Sequence, residues 1–157
     1  MEATQTEFYR PETGLVYVLN IGRLTCKVIN SPTIKGDVVI PAKVNYKDKD
    51  YQVEAIGEAA LKNNSGIKSV TFAPDSTINA IEKNAFEASS VESITFPASL
   101  TRIGDNAFAG CGKLQTVQFP NGSKLIAVGK DAFPAELLPK ITFPNEVKQN
   151  GLVENLF

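Results

Sequence analysis

One segment of the sequence occurs four times, and this repetition restricts the possible folds more than any other feature. The clearest copies are Ile81-Glu-Lys-Asn-Ala-Phe86, Ile103-Gly-Asp-Asn-Ala-Phe108 and Val128-Gly-Lys-Asp-Ala-Phe133, with a weaker copy at Ile56-Gly-Glu-Ala-Ala-Leu61. Successive copies begin 22 to 25 residues apart. Repetition at this period is typical of stacked structural units, so it predicts a solenoid and not a closed globule.

A short alternating segment follows each copy. The four segments are Val70-Thr-Phe72, Ile94-Thr-Phe96, Val117-Gln-Phe119 and Ile141-Thr-Phe143. Alternation places the two apolar side chains on one face of a strand, so one strand per coil is predicted to build a parallel sheet. Pro97, Pro120 and Pro144 follow three of these segments directly, and a residue without an N–H helps to end sheet pairing there.

The Ala-Phe part of each copy leaves too few residues between strands for a full helix. It predicts a short helical or 3₁₀ turn, with Asn84, Asn106 and Asp131 as caps near its start. The recurring aromatic positions predict two stacked ladders in the core. The first contains Phe86, Phe108 and Phe133, and the second contains Phe72, Phe96, Phe119 and Phe143.

The chain divides into three predicted regions. Residues 1–52 lack the repeat and are predicted to form an N-terminal β cap, with short strands at Leu15–Leu19, Leu24–Val28 and Asp37–Pro41. Residues 53–144 are predicted to form four repeats, at about 53–77, 78–99, 100–124 and 125–144. Residues 145–157 are predicted to form a C-terminal cap or tail. Its apolar residues are Val147, Leu152, Val153, Leu156 and Phe157.

The repeat resembles the BspA-like, or Treponema-type, class of leucine-rich repeat. The resemblance covers roughly residues 53–144 and is best over Ile103-Gly-Asp-Asn-Ala-Phe-Ala-Gly-Cys-Gly-Lys-Leu114. It implies a leucine-rich-repeat solenoid in a bacterial cell-surface or secreted protein that acts in adhesion. The chain departs from the family pattern in having only four copies and in holding the family's cysteine only at Cys111. The equivalent positions are Asn64, Ser89 and Glu136.

In a leucine-rich repeat, the outward residues of the strands form the concave face. We call these residues the polar strip, and they are Ser69, Thr71, Ser93, Thr95, Thr116, Gln118, Lys140 and Thr142. The strip is polar and nearly uncharged, which suits a glycan or protein backbone as ligand. Threonine and serine also favour exposed strand positions without any ligand, so the composition alone does not require binding.

Composition excludes several classes of function. The formal net charge is −1, which gives no electrostatic reason to expect nucleic acid or an anionic membrane as partner. No stretch approaches the roughly 20 apolar residues of a membrane span. The chain has no histidine, which removes histidine-based triads and the commonest metal ligand, and nothing in it indicates a cofactor.

Two local motifs favour structural roles over chemistry. Tyr46-Lys-Asp-Lys-Asp-Tyr51 has a D-x-D spacing but predicts a hairpin tip, since a calcium loop needs more oxygen ligands. Cys26 and Cys111 lie in different units of the predicted solenoid, so we expect both to be reduced and unlinked. Cys111 also lies where the repeat turns a side chain inward, and a nucleophile there would lack a histidine base.

These observations predict a non-enzymatic binding module that contacts protein or glycan through the polar strip. The alternative is a structural spacer, or a fragment of a larger surface protein, with no ligand of its own. The family resemblance implies an extracellular or cell-surface location, although the first seven residues lack the pattern of a signal peptide. A monomer is predicted because Pro139 and Lys140 protect the fourth strand as a sheet edge.

Overall fold

The computed structural model describes residues 5–150. The strands are β1 Gln5–Arg10, β2 Leu15–Asn20, β3 Thr25–Ile29, β4 Gly36–Ile40, β5 Lys43–Tyr46, β6 Lys49–Ile56, β7 Ile67–Phe72, β8 Ala80–Ile81, β9 Ser93–Thr95, β10 Arg102–Ile103, β11 Thr116–Gln118 and β12 Ala127–Val128. A 3₁₀ helix, Ala135–Lys140, and the α-helix α1, Asn145–Asn150, follow them.

The strands form two sheets, and the predicted solenoid is confirmed. The first sheet has the order β1-β2-β3-β6-β8-β10-β12, with β5 paired to β6. The second has the order β4-β7-β9-β11. Pairing within the second sheet, and from β3 to β12 along the first, is parallel. The sequence predicted one strand per coil, and β8, β10 and β12 add a second short strand to the coils.

The N-terminal region joins both sheets. Strands β1, β2 and β3 form an antiparallel meander, while β3 pairs in parallel with β6 and β4 pairs in parallel with β7. The three strands predicted in this region correspond to β2, β3 and β4. Residues 25–40 therefore supply a coil in register with the repeats, and residue 52, the predicted end of the cap, lies inside β6. The division into three regions stays a prediction.

Both predicted aromatic ladders are confirmed. The ring of Phe108 stacks on Phe86 at 4.8 Å and on Phe133 at 5.1 Å between centroids, with interplanar angles of 9° and 2°. In the second ladder, successive rings lie 6.5, 5.0 and 5.8 Å apart. Phe96 and Phe108 join the ladders edge to face at 5.8 Å. Because each ring sits over its counterpart one coil away, the core repeats at the spacing of the sheets.

The turns of the first three repeats are not helical, and the prediction that Asn84, Asn106 and Asp131 act as helix caps is wrong. All three have left-handed backbones, with φ values of 59°, 57° and 54°. An N-cap residue has an extended backbone instead. Asparagine and aspartate tolerate the left-handed region better than most residues, which explains their recurrence at this position. The 3₁₀ helix is confined to the fourth repeat.

The amides of these turns alternate between two kinds of partner. In the second repeat the N–H groups of residues 85, 87 and 89 donate within the turn, to the carbonyl three residues back. Those of Asn84, Phe86 and Ala88 donate to the carbonyls of Asp105, Ala107 and Ala109 in the next coil, at 3.0, 2.7 and 2.8 Å. A continuous 3₁₀ helix would keep all of these donors inside one turn. The alternation therefore ties each turn to the coil that follows it.

The fourth repeat does not complete the second sheet, so the prediction that Ile141-Thr-Phe143 forms its last strand is wrong. In earlier coils the amide of Glu92 donates to Lys68 O, and that of Gln115 donates to Glu92 O, both at 2.8 Å. The equivalent residue of the fourth repeat is Pro139, which has no N–H. The amide of Ile141 donates to Leu138 O at the end of the 3₁₀ helix. Strand β11 is consequently the edge of the sheet.

Helix α1 follows the last coil. Its residue Val147 is 1% exposed and belongs to the core, as the predicted C-terminal cover requires. The other residues predicted for that cover lie outside the described residues. They are Leu152, Val153, Leu156 and Phe157.

We expect the Phe108→Ala substitution to lower the free energy of unfolding by about 3–5 kcal/mol, because it removes a fully buried ring that stacks on both sides. Urea denaturation followed by circular dichroism measures the loss. Phe108→Leu, which refills much of the volume, should cost less. A loss below about 1 kcal/mol for the alanine variant would contradict the ladder.

Gly104 tests the close approach of adjacent coils. A Cβ atom added there would lie 2.7 Å from Lys83 N and 2.9 Å from Glu82 C, so backbone would have to move. We expect Gly104→Ala to destabilise the protein by about 1–3 kcal/mol in the same assay. Gly112→Ala is the control, since a Cβ there meets nothing within 4 Å. Equal stability of the two variants would show that the coils are not packed this closely.

Candidate binding surface

Six residues of the polar strip lie on the outward face of the second sheet. They belong to three adjacent strands, β7, β9 and β11, and their inward neighbours Val70 and Ile94 are buried. Ser69 and Ser93 are half-buried, whereas the others are exposed. The exposed members are Thr71, Thr95, Thr116 and Gln118. The alternation of each strand therefore presents the predicted residues to solvent.

Strand pairing arranges these side chains in columns. Ser93 is paired with Ser69 on one side and Thr116 on the other, and Thr95 is paired with Gln118. The hydroxyl of Thr95 donates to Oε1 of Gln118 at 3.3 Å. Contacts of this kind between neighbouring coils fix side chains that would otherwise rotate freely.

The structure extends the strip by strand β4, which was predicted as a strand of the cap but not as part of the strip. Strand β4 places Asp37 beside Ser69 and Val39 beside Thr71. The Ser69 hydroxyl donates to Oδ1 of Asp37 at 2.7 Å, and Val39 is 58% exposed. The order apolar-x-apolar-proline at residues 38–41, which matches residues 94–97, was the available signal.

Lys140 and Thr142 lie beside β11 but not in a strand. Lys140 ends the 3₁₀ helix, and Thr142 lies in the unpaired segment that follows, so the prediction that they continue the columns as strand residues is wrong. Both are exposed and line a shallow depression of about 500 Å³ that runs along residues 115–120. The strip thus ends in a groove instead of a further paired strand.

The two cysteines are free, as predicted, and both are buried. Burial raises the pKa of the Cys26 thiol to about 12 and also raises the pKa of Cys111. Cys111 Sγ donates to Phe86 O at 3.0 Å and lies 3.6 Å from Ser89 Oγ. Because the thiolate is the reactive form, both groups are poor nucleophiles and Cys111 has a structural role.

The predicted hairpin tip between Tyr46 and Tyr51 is confirmed. Strands β5 and β6 flank Lys47 and Asp48, which have φ values of 49° and 65°, as a tight two-residue turn requires. Asp50 accepts a hydrogen bond from Asn45 Nδ2 at 3.0 Å, and this bond, together with nearby Lys43, lowers the pKa of its carboxyl group. The Asp50 carboxylate therefore stabilises the hairpin.

Residues 5–150 contain no cluster of three or more potential metal ligands. Within the same part of the chain, no helix combines the length and apolar character needed to cross a membrane.

Two sheets with parallel pairing along the coils, short turns and an outward polar strip define a solenoid repeat protein of the leucine-rich type. The profile of the family described as BspA type leucine rich repeat region matches residues 43–153, in six copies. The chain therefore belongs to the BspA-type leucine-rich repeat family. The match begins ten residues before Val53, the first apolar position of the four copies recognised in the sequence.

Several solved structures of bacterial proteins are similar to this chain. The pneumococcal vaccine antigen PcpA is 22% identical with a TM-score of 0.58, and the match covers 84% of this chain and 42% of that one. A leucine-rich repeat protein from Bacteroides capillosus is 20% identical with a TM-score of 0.48, covering 82% and 72%. The Treponema pallidum protein TpLRR is 16% identical with a TM-score of 0.47, covering 94% and 81%. This chain thus spans less than half of the PcpA chain. Curated protein sequences gave no match.

We expect both thiols to resist iodoacetamide at pH 8 in the folded protein, because burial keeps them protonated and inaccessible. In urea both should be alkylated. Intact mass spectrometry counts the added groups, with and without prior reduction. A disulfide, or rapid labelling of the folded protein, would contradict the buried thiols.

Proposed function

We propose that the chain is a non-enzymatic binding module that holds a protein or glycan on the polar strip. The observation that carries the proposal is the regular arrangement of exposed, nearly uncharged hydrogen-bonding side chains on a sheet fixed from behind by stacked phenylalanines. Hydroxyl and amide groups can both donate and accept hydrogen bonds, so they suit sugar hydroxyls and peptide groups alike. Such a surface needs no acid–base chemistry.

We further propose that the protein acts outside a bacterial cell. Membership of the BspA-type family and similarity in fold to a pneumococcal vaccine antigen support this location.

The size of the strip limits its affinity. Strands about 4.8 Å apart place the four strands β4, β7, β9 and β11, and the segment after them, within about 19 Å along the solenoid. A stable protein interface buries about 800 Å² on each partner, which is more than this patch offers. The chain alone therefore binds weakly. The small patch also favours the second candidate, a structural spacer within a larger surface protein.

A triple variant tests the binding surface. Thr71→Arg, Thr95→Arg and Gln118→Arg together place three long cations along the strip, and we expect at least a tenfold loss of binding by charge and steric obstruction. The assay screens a glycan array and a panel of extracellular matrix proteins with the wild-type protein, then measures any hit with each variant by surface plasmon resonance.

The control carries the same three charges at the first sheet, one on β6 and two in the segment that precedes β8. Gln52→Arg, Thr77→Arg and Asn79→Arg change exposed residues and break a matching hydrogen bond, from Thr77 Oγ1 to Gln52 Oε1 at 3.2 Å. This control should bind like the wild type. Binding that survives the strip variant would move the site elsewhere. A complete lack of ligands favours the spacer.

A further inference from the structure

Strand β11 has one edge paired and one edge open. Toward β9, the Thr116 amide donates to Glu92 O at 3.2 Å, and Gln118 O accepts from the Phe96 amide at 3.0 Å. Main-chain groups of a parallel strand alternate in direction, so Val117 directs its N–H and C=O away from β9. Within residues 5–150, no backbone hydrogen bond joins β11 to the fourth repeat.

The groups left on this edge form a pattern for strand pairing. By the alternation seen between β9 and β11, they are two donors, the N–H groups of Val117 and Phe119, and two acceptors, the C=O groups of Gln115 and Val117. In the preceding coil the equivalent donors, the amides of Ile94 and Phe96, pair with β11. The open edge therefore has the donors and acceptors that pairing with one more strand requires.

The fourth repeat does not use this edge and has little means to do so. Pro139 lacks the donor that would reach Gln115 O, and Thr142, whose amide would face β11 in the register of the repeat, lies in an unpaired segment. The inward side chain of β11 is also less covered than its counterparts. Val117 is half-buried, whereas Val70 and Ile94 are 0% and 1% exposed. The edge thus opens into the depression of about 500 Å³ bounded on its far side by Lys140 and Thr142.

We infer that the outer edge of β11 binds an extended segment of a partner protein, which adds one strand to the second sheet. The inference rests on the proposed binding function and deepens it by naming the partner's chemistry. Main-chain hydrogen bonds supply the contact in this mode of recognition, and side chains of alternate residues supply the selectivity.

Charge in the groove indicates which segment fits. Among the residues that line the depression, Lys140 is the one with a full charge, and within the described part of the chain it has no ion-pair partner. A segment with an acidic residue close to Lys140 gains an attraction, whereas a basic segment is repelled. The other lining side chains are mostly small or neutral and polar, so the segment needs β-forming residues that are not bulky.

A synthetic peptide of residues 90–97, Ser-Val-Glu-Ser-Ile-Thr-Phe-Pro, is a suitable probe. It copies a strand that already pairs with β11 on the other edge, and it carries a glutamate. Two N-methylated versions separate main-chain from side-chain binding. One is methylated at the amides of the second serine and the threonine, which face the edge in the register of the repeat. The other is methylated at the isoleucine and phenylalanine amides, which face away.

Val117→Pro removes the edge donor from the protein itself. This amide serves no hydrogen bond to β9, so the variant should keep its fold, which circular dichroism verifies. Val117→Ile is the control and keeps the donor. Fluorescence anisotropy of the labelled peptide measures each dissociation constant. We expect the wild type and Val117→Ile to bind the unmodified peptide, and Val117→Pro to bind it at least about tenfold more weakly. The methylated peptides need no variant and test the edge even if Val117→Pro does not fold.

Four outcomes decide whether the edge of β11 binds a partner segment. The inference is supported if methylation at the second serine and the threonine abolishes binding, methylation at the isoleucine and phenylalanine does not, and Val117→Pro also loses binding. The inference is overturned if all three peptides bind equally and only the triple-arginine variant of the strip loses binding. That outcome leaves the proposed function intact. No binding of the unmodified peptide also overturns the inference, while the glycan and matrix screen still tests the proposed function. If light scattering shows that the wild type self-associates and that Val117→Pro does not, the edge binds a second copy of this chain, and the inference is overturned.

Discussion

Hydrogen bonds between the main chains of neighbouring coils are the constraint on which the rest of the structure depends. They occur in both sheets and also in the turns, where Leu61, Phe86 and Phe108 donate to the next coil at 2.7, 2.7 and 2.6 Å. These contacts hold every coil at one spacing, and a side chain at a given position of the repeat must then lie over its counterpart. The phenylalanine ladders and the columns of the polar strip are both results of this registry.

Much of this fold could be predicted because the repeat period determines which residues superimpose. The ladders around Phe96 and Phe108 follow from the alignment of copies alone, and the strands follow from simple alternation. The turn conformation could not be predicted in the same way. Its left-handed residues include Ala59 and Ala88, and alanine carries no sequence signal for that backbone. Only the contact with the next coil explains why these residues adopt it.

The candidate surface was likewise predicted from the sequence only in part. The strip residues of β7, β9 and β11 were predicted from the alternation of their strands. Asp37 and Val39 were missed because their coil lacks the Ala-Phe turn of the repeats, although the order at residues 38–41 was a usable signal. Pro139 was correctly predicted to interrupt sheet pairing. It was expected to protect the fourth strand as the sheet edge. Because the N–H that it lacks would have donated to Gln115 O, β11 is the edge instead. A sequence pattern identifies the residue that interrupts a sheet more easily than the strand that is left exposed.

The turns have an electrical consequence for the whole solenoid. Every turn hydrogen bond between coils that is described above runs the same way, from an N–H in the earlier coil to a C=O in the later one. The peptide dipoles on this side are therefore parallel and add together, as they do in an α-helix, whereas those of sheet strands alternate and largely cancel. The turn side acquires a positive pole at its C-terminal end and a negative pole at its N-terminal end. Each added coil lengthens that dipole without any change in the number of charged residues.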